Sequence, residues 1–344
     1  MRYKLLGKSG LRVSELCLGT MTFGEEWGWG ASKEESQKIF DAFIEAGGNF
    51  IDTANRYTEG TSEKYVGKFI AAERERIVLA TKYTLFTRRD DPNASGNHRK
   101  NMVQSLEASL KRLNTDYIDL YCVHAWDFMT PVEEVMRALD DIVRAGKVLY
   151  VGISDTPAWI VSQANTLAEL RGWSPFIGLQ IQYSLAQRTV ERDLLPMARA
   201  LDIGVTAWGA LGSGLLSGKY TSKQKSTEAG RLDKWGVNIG DKERKIAETM
   251  QQVANEIGVT SAQVALNWVR QQPGLIIPIL GARTVEQIKN NLGCLDFELT
   301  AEQLQQLDEV SKIELGFPHD FLAGDEIKDI VYSGTFALTD NHRG

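Results

Sequence analysis

Four side chains that can bind or release a proton lie at or near the ends of three successive apolar runs. Asp52, Lys82 and His124 each end a run, and Tyr57 follows soon after Asp52. Taken singly, each has an ordinary structural role, since an Asp after a strand often caps a helix and a Tyr usually packs. If the runs are neighbouring parallel strands, all four leave the same rim, which chance rarely arranges.

This set of side chains could deliver a proton to a carbonyl oxygen. Lys82, at the end of a buried strand, needs a partner, and Asp52 on the neighbouring strand can supply it. A cation beside Tyr57 would lower the phenol pKa from its ordinary value of roughly 10, so that the phenol could protonate a developing alkoxide. Neutral His124 could donate a hydrogen bond to the same oxygen. Because no side chain donates a hydride, a cofactor must supply the electrons.

Eight short apolar runs supply the strands that this arrangement requires. Several are apolar at consecutive positions, which is typical of strands buried on both faces of a parallel sheet. Helical patterns separate them: one stripe runs from Val132 to Val143 and ends at Gly146, and another comprises Val103, Leu106, Leu110 and Leu113. The runs are Leu16–Leu18, Asn49–Asp52, Ile77–Lys82, Tyr117–His124, Val148–Ser154, Ile177–Gln182, Ile203–Trp208 and Leu275–Leu280.

Repeated strand–helix units predict an α/β fold with a parallel sheet. With eight strands, a closed (β/α)8 TIM barrel is the simplest architecture, preceded by a β-hairpin over Tyr3–Val13. The rival doubly wound sheet normally carries G-x-G-x-x-G after its first strand, and Gly19–Gly24 does not match. We expect a single domain over 1–344 with its core at about 14–312. A long loop over Gly209–Gly240 follows the seventh strand, and the tail over 313–344 shows no clear period.

The composition argues against several classes of function. A net charge of −6 disfavours nucleic-acid binding, which would need a basic patch. No stretch approaches the roughly 20 apolar residues that span a bilayer, and the first ten residues contain no apolar signal core, so we expect a cytoplasmic protein. The three cysteines and four histidines form no metal-binding motif. We therefore expect no metal, which disfavours a metal-dependent barrel hydrolase.

The sequence around the four proton-handling residues resembles the aldo-keto reductases. Asp52, Tyr57, Lys82 and His124 are similar to the Asp–Tyr–Lys–His tetrad of that family. The similarity runs in order from the first hairpin to the helix after the eighth strand. Within the family, the sequence resembles the aryl-alcohol-dehydrogenase-like and potassium-channel β-subunit-like branch. The similarity is carried by GGNFIDTANRYTEGTSEKYVG, IVLATKY, YIDLYCVHAWD, GKVLYVGISD, QYSLAQR, AWGALGSGLLSGKY and IPILGARTVEQIKNNL.

The resemblance implies an NADP(H)-dependent enzyme that reduces an aldehyde or ketone to the alcohol, with Tyr57 as the proton donor. It implies that Ser154, Asp155 and Gln180 hold the nicotinamide carboxamide. The family more often has Asn at position 155, and a carboxylate cannot donate to the carboxamide oxygen. Trp208 would stack on the nicotinamide ring.

The resemblance also implies where the phosphates of the cofactor lie. A glycine-rich loop after the seventh strand would surround the pyrophosphate, because small residues let backbone N–H groups approach an anion. Arg283 would bind the 2′-phosphate with its planar guanidinium fork, which favours NADP over NAD. The other implied cofactor residues are Thr20, Asp52, Gly209, Ala210, Leu211, Gly212, Ser213, Lys219, Gly281, Gln287, Asn290 and Asn291.

The resemblance to this branch also allows a second interpretation, in which the protein is a regulatory subunit. Potassium-channel β subunits bind the cofactor while they serve a membrane channel. This chain begins directly at its hairpin, without an N-terminal extension of the kind that would block a pore, and its tetrad is complete, so the enzyme is the preferred interpretation. Its expected partner is a small carbonyl or alcohol, and a homo-oligomer is compatible with the sequence. Aromatic loop residues such as Trp27, Trp29 and Trp126 favour an apolar or aromatic substrate.

Overall fold

Short, largely apolar strands run through the computed structural model, which describes residues 1–218 and 240–341. They are β1 Tyr3–Leu5, β2 Arg12–Ser14, β3 Cys17–Gly19, β4 Phe50–Asp52, β5 Val78–Tyr83, β6 Ile118–Val123, β7 Val148–Ser154, β8 Phe176–Gln182, β9 Gly204–Trp208 and β10 Ile276–Gly281. The strands β3 to β10 are parallel, follow chain order and close into a barrel, because β10 pairs with β3. The α/β prediction of a (β/α)8 barrel is therefore confirmed, and each barrel strand lies within one residue of its predicted bounds.

Helices follow the barrel strands and, apart from two short ones in the C-terminal tail, pack around the barrel. They are α1 Lys33–Glu45, α2 Thr61–Phe69, α3 Arg99–Leu113, α4 Val132–Arg144, α5 Ala158–Arg171, α6 Leu194–Ala200, α7 Asp241–Ile257, α8 Ser261–Arg270, α9 Val285–Leu292, α10 Ala301–Ser311, α11 His319–Ala323 and α12 Asp325–Tyr332. Local sequence sets several of their starts: Thr260 and Gln263 exchange hydrogen bonds as a capping box before α8, and Thr300 and Gln303 do so before α10. No helix in these two ranges is long and apolar enough to cross a bilayer.

Apolar side chains fill one end of the barrel. The predicted hairpin is present, with β1 antiparallel to β2, and its Leu6 and Val13 are fully buried. They pack with inward-facing residues of the strands, including Phe50 and Leu120, in one core cluster. A larger cluster lies between the strands and the helices. Because the N-terminal end is packed in this way, polar side chains gather at the opposite, C-terminal end, where barrel active sites are built.

The structure corrects one residue of the predicted helical stripes. Val103 was expected in the buried stripe of α3, but it is 39% exposed. Met102 is buried in its place, together with Leu106, Leu110 and Leu113. Positions 102, 106 and 110 are spaced by four residues and share one face of the helix, which leaves Val103 at the edge of that face.

The C-terminal tail is more regular than the sequence predicts. No period is visible in 313–344, yet α11 and α12 lie there. Both helices are shorter than the window in which a helical period can be recognised. Their surroundings include large exposed apolar side chains, among them Phe317, Ile330 and Leu338.

The predicted loop after β9 is only partly described. A 3-10 turn over Gly212–Ser217 follows the strand, and the chain is described again from Gly240. Lys219 therefore lies outside the described residues, and of Ser213 only the backbone is described.

Helices α2 and α3 approach each other backbone to backbone at Gly67. A Cβ atom built at this position would lie 2.5 Å from the carbonyl oxygen of Leu113. Backbone cannot move aside as the end of a flexible side chain can. The residue type at position 67 therefore sets the distance between the helix that follows Tyr57 and its neighbour.

Gly67→Ala should lower the free energy of unfolding. Overpacking costs about 1–3 kcal/mol, which exceeds the gain of ~1 kcal/mol in helix propensity when Gly becomes Ala. Denaturant unfolding monitored by circular dichroism would measure this. Gly10→Ala is the control, because a Cβ at Gly10 meets no atom within 4 Å. Equal stability of the two variants would show that α2 can shift without cost.

Candidate active site

The four proton-handling residues meet at the C-terminal end of the barrel. The Nζ atom of Lys82, which is fully buried, donates to Asp52 Oδ2 at 2.7 Å and to the carbonyl oxygen of Thr53 at 2.9 Å. It also donates to the hydroxyl oxygen of Tyr57 at 3.2 Å. The rings of Tyr57 and His124 lie edge to face, with their centroids 5.8 Å apart. The structure thus places all four predicted residues in one cluster, with Lys82 at its centre.

Burial and charge act in opposite directions on the phenol of Tyr57. Burial raises the pKa of Tyr57, and the neighbouring Lys82 cation lowers it by less, so the net shift is upward. The expectation that Lys82 brings this pKa below its ordinary value is therefore wrong in its net direction. The reason is that a phenolate loses its hydration in a buried site. A phenol with a raised pKa stays protonated at neutral pH, which is the form that can donate a proton.

Lys82 is charged and His124 is neutral in the same buried site. Burial works against the charge of Lys82, but the negative charge of Asp52, and that of Tyr57 in its ionised form, raise its pKa above the ordinary value. Burial lowers the pKa of His124 well below the usual range, and the charge of Lys82 lowers it further. Lys82 is therefore a cation, and His124 is a neutral ring that can donate one hydrogen bond.

Three neighbouring strands bring the predicted carboxamide and ring-stacking residues to the same rim. Ser154 ends β7, Gln180 lies near the end of β8, and Trp208 ends β9 with its indole half-buried. The Nε2 atom of Gln180 donates to Asp52 Oδ1 at 2.9 Å, across the barrel. The indole N–H of Trp208 donates to Asp155 Oδ1 at 3.2 Å. An indole face beside several amide-binding groups suits a flat ring that carries an amide.

Glycines set the backbone conformation of the segment that follows β9. Gly209 and Gly212 have φ of 70° and 55°, in the left-handed region that favours glycine. Leu211, between them, is half-buried. Glycines with positive φ therefore shape this segment, and its role as an anion-binding loop stays a prediction.

The predicted 2′-phosphate residues lie at the start of α9. The hydroxyl of Thr284 caps this helix by accepting from the N–H of Gln287 at 3.3 Å, and Gln287 Oε1 accepts from the N–H of Arg283 at 2.8 Å. Arg283 and Asn290 are half-buried, and Gly281 at the end of β10 is exposed. The structure thus places Arg283 directly before the capping residue Thr284 of this helix, at this rim.

Besides Asp52, Ser154 and Gln180, three further predicted cofactor residues are buried. Thr20 is fully buried, and its hydroxyl donates to the carbonyl oxygen of Asp52 at 2.9 Å. Ala210 is also buried, and Asn291 is 4% exposed. Thr20 therefore supports the backbone of Asp52, and the side chains of Ala210 and Asn291 offer little surface to a ligand.

Two positioning contacts were not found from the sequence. The carbonyl oxygen of Thr53 is one of the three acceptors of Lys82, and residue types give no signal for a backbone acceptor. Thr84, with φ of 91°, accepts from the N–H of His124 at 3.2 Å. A non-glycine residue with positive φ cannot be recognised in a sequence, although it often marks a functional site.

Replacement of Lys82 tests the buried ion pair. Lys82→Met should lower the free energy of unfolding by about 3–5 kcal/mol, because it leaves the carboxylate of Asp52 buried without its cation. Lys38→Met is the control: the Lys38–Glu35 pair is exposed, so its loss should cost less than about 1 kcal/mol. Denaturant unfolding at pH 7 would measure both. Equal losses in the two variants would contradict a special role for the buried pair.

Comparisons with known proteins agree with this geometry. The model of the aldo/keto reductase family matches residues 15–312. The norsolorinic acid reductase of Aspergillus flavus is 41% identical over 329 residues, which cover 92% of this chain and 83% of that protein. The aryl-alcohol dehydrogenase [NADP(+)] of Phanerodontia chrysosporium is 40% identical over 337 residues, which cover 92% and 87%. With this family match and these relatives, the chain belongs to the aldo/keto reductase family, and it is an oxidoreductase that acts on carbonyl compounds.

Proposed function

We propose that this protein reduces an aldehyde or ketone to the alcohol with NADPH, and that Tyr57 gives the proton. The observation that carries the proposal is the position of Lys82, whose Nζ atom contacts both Asp52 and the hydroxyl oxygen of Tyr57. The hydroxyl of Tyr57 accepts from Lys82, so its own proton is directed elsewhere. The same groups can take the proton back when the alcohol is oxidised. The complete tetrad supports an enzyme over a purely regulatory subunit.

The residues at the rim fit a nicotinamide cofactor. The half-buried indole of Trp208 offers a flat surface, and the amide of Gln180 lies beside the Asp52 carboxylate. The Nδ1 atom of His124 is buried and has no hydrogen-bond partner among the described residues, as is typical of a site that holds a ligand. One relative carries NADP(+) in its name. When bound, NADPH would supply the hydride that no side chain can supply.

Each residue of the tetrad has one task in the proposed mechanism. A carbonyl oxygen between Tyr57 and His124 would accept a hydrogen bond from each, which orients it and stabilises its developing charge. Tyr57 then transfers its proton to that oxygen, and the charge of Lys82 stabilises the phenolate that remains. Asp52 and the carbonyl of Thr53 hold the ammonium of Lys82 in place for this purpose.

Aromatic side chains in the loops support an aromatic substrate. The rings of Trp27 and Trp29 lie 5.7 Å apart, and the guanidinium of Arg56 lies 4.4 Å from the ring centre of Phe86. Apolar and aromatic side chains are the usual lining of sites that bind flat apolar molecules. The relatives whose names include aryl alcohols agree with this choice. We therefore propose an aromatic aldehyde or ketone as the substrate class.

We also propose that residues 1–344 form one domain that acts in the cytoplasm. The three cysteines, Cys17, Cys122 and Cys294, are free and buried. Unpaired cysteines are usual in a reducing compartment.

Tyr57→Phe tests the proton donor. This variant should bind NADPH as the wild type does and lose roughly 10²–10⁴-fold in kcat, the usual contribution of a general acid. Tyr121→Phe is the matched control, because Tyr121 is buried but gives its hydroxyl hydrogen bond to the carbonyl of Met102. NADPH oxidation with an aromatic aldehyde would measure kcat. A wild-type rate in Tyr57→Phe would refute the assignment.

Arg283→Ala tests the choice of cofactor. NADPH should bind more weakly by about 1.5–3 kcal/mol, the value of a hydrogen bond to a charged group, while NADH should be unaffected because it lacks the 2′-phosphate. Lys289→Ala, an exposed position on the helix that follows Arg283, is the control. Titration of both cofactors, followed by quenching of tryptophan fluorescence, would measure the difference. Equal losses for NADPH and NADH, or a wild-type preference for NADH, would exclude this role.

A further inference from the structure

The turn that carries Tyr57 has a strained backbone. Thr58, Glu59 and Gly60 follow Tyr57 with successive φ values of 45°, 56° and 89°. Non-glycine residues in the left-handed region are destabilising and persist only where the surroundings hold them. Since α2 begins at Thr61, directly after this turn, its first residues are the nearest elements that can hold it.

A buried carboxylate in the first turn of α2 connects this turn to two other elements. Glu63 is fully buried. Its Oε1 atom accepts from the hydroxyl of Thr81 at 2.6 Å, and its Oε2 atom accepts from Arg112 Nε at 2.6 Å. Thr81 precedes Lys82 in β5, and Arg112 lies near the end of α3. Glu63 therefore links the helix that follows Tyr57 to the strand that carries Lys82.

The side chain of Arg112 also lies against the strained turn itself. A Cβ atom built at Gly60, whose φ is 89°, would be 2.9 Å from Arg112 Cδ, so this side chain lies directly against the backbone of the turn. Arg112 is held there by Glu63, since a buried carboxylate without its cation is costly. The ion pair thus fixes the end of the turn.

Ser62, the neighbour of Glu63, fixes the start of the turn. Its N–H donates to Thr58 Oγ1 at 3.1 Å, and its hydroxyl donates to the carbonyl oxygen of Thr20 at 2.7 Å. The Thr58 hydroxyl in turn donates to the carbonyl oxygen of Phe23 at 2.6 Å. These contacts join the turn to the loop after β3.

We propose that Glu63 is a positioning residue for catalysis: its bonds to Arg112 and Thr81 hold the strained turn so that the hydroxyl of Tyr57 stays beside Lys82. The hydrogen bonds of Glu63 go to Thr81 and Arg112 on the outer side of the barrel, away from the reacting atoms. Its effect on catalysis is therefore indirect, through the position of Tyr57. The inference rests on the proposed role of Tyr57 as the proton donor.

The chain offers a matched control for Glu63. Asp140 is also buried, and it accepts from Arg144 Nε at 2.6 Å and from the hydroxyl of Ser174 at 3.1 Å. Its bonds therefore repeat the carboxylate–Arg–hydroxyl set of Glu63. Ser174 precedes β8, so this set lies toward the end of the barrel opposite the tetrad.

The test compares Glu63→Ala, Glu63→Gln and Asp140→Ala in the full chain, well below the lowest Tm. Both Ala variants should have a lower Tm. Only Glu63→Ala should lose kcat, by on the order of 10- to 100-fold, because small displacements of a catalytic group have such effects. KM for the aldehyde and Kd for NADPH should stay within about twofold, since ground-state binding is not affected.

Glu63→Gln provides the rescue. Glutamine has the same length as glutamate, and it can accept from Arg112 while its amide donates to the hydroxyl of Thr81. Its kcat should therefore stay within about threefold of the wild type, because both hydrogen bonds of the side chain at position 63 are kept and only its charge is lost. If Glu63→Ala does not fold, Thr81→Val removes one hydrogen bond of Glu63 with little change of shape, and its kcat should fall about 3- to 10-fold at unchanged KM.

Several results would overturn the inference. One is a folded Glu63→Ala with the kcat of Asp140→Ala, and another is a folded Thr81→Val with the wild-type kcat. If Tyr57→Phe is inactive while Glu63→Ala behaves like Asp140→Ala, the positioning role alone fails. If Tyr57→Phe is fully active, the proposed function itself fails, whatever Glu63 does.

Discussion

The buried ion pair between Lys82 and Asp52 is the interaction on which the site depends. An ammonium group without exposure to water is tolerated only where acceptors surround it, and Lys82 has a carboxylate, a backbone carbonyl and a phenol around its Nζ atom. The barrel makes this possible because parallel strands deliver their C-terminal ends to one rim, while apolar residues such as Leu6 and Phe50 fill the other end. The charge of Lys82 then helps to keep His124 neutral and opposes the effect of burial on Tyr57.

Much of the fold and of the tetrad could be predicted from the sequence, because both follow from local patterns. Consecutive apolar residues marked the barrel strands, and the chemistry of Asp52, Lys82 and His124 stood out because each residue ends such a run. The net pKa shift of Tyr57 could not be predicted in this way. A sequence shows which partner is near a phenol, but the depth of burial is set by packing of the whole barrel mouth.

The contacts of Glu63 that support the tetrad could not be predicted from the sequence either, for a related reason. In the sequence, Glu63 has the appearance of an ordinary acidic residue in the first turn of a helix, where it suits the helix dipole. Its burial becomes evident only when α3 brings Arg112 against it, and that approach depends on the absence of a side chain at Gly67. Such contacts join elements that no short pattern connects, so they are read from the structure alone.

The two carboxylate oxygens of Asp52 have hydrogen-bond partners at very different separations along the sequence. Oδ2 meets Lys82, which is 30 residues away, whereas Oδ1 meets Gln180, which is 128 residues away. The entropy lost on closing a loop increases with its length, so the second contact forms against the larger cost. A fragment that runs from β3 to His124, the residue after β6, would contain all four tetrad residues but would lack the amide of Gln180, the second hydrogen-bond partner of Asp52. The tetrad residues all lie in the first half of the chain, but Asp52 Oδ1 gains its partner only when the second half closes the barrel.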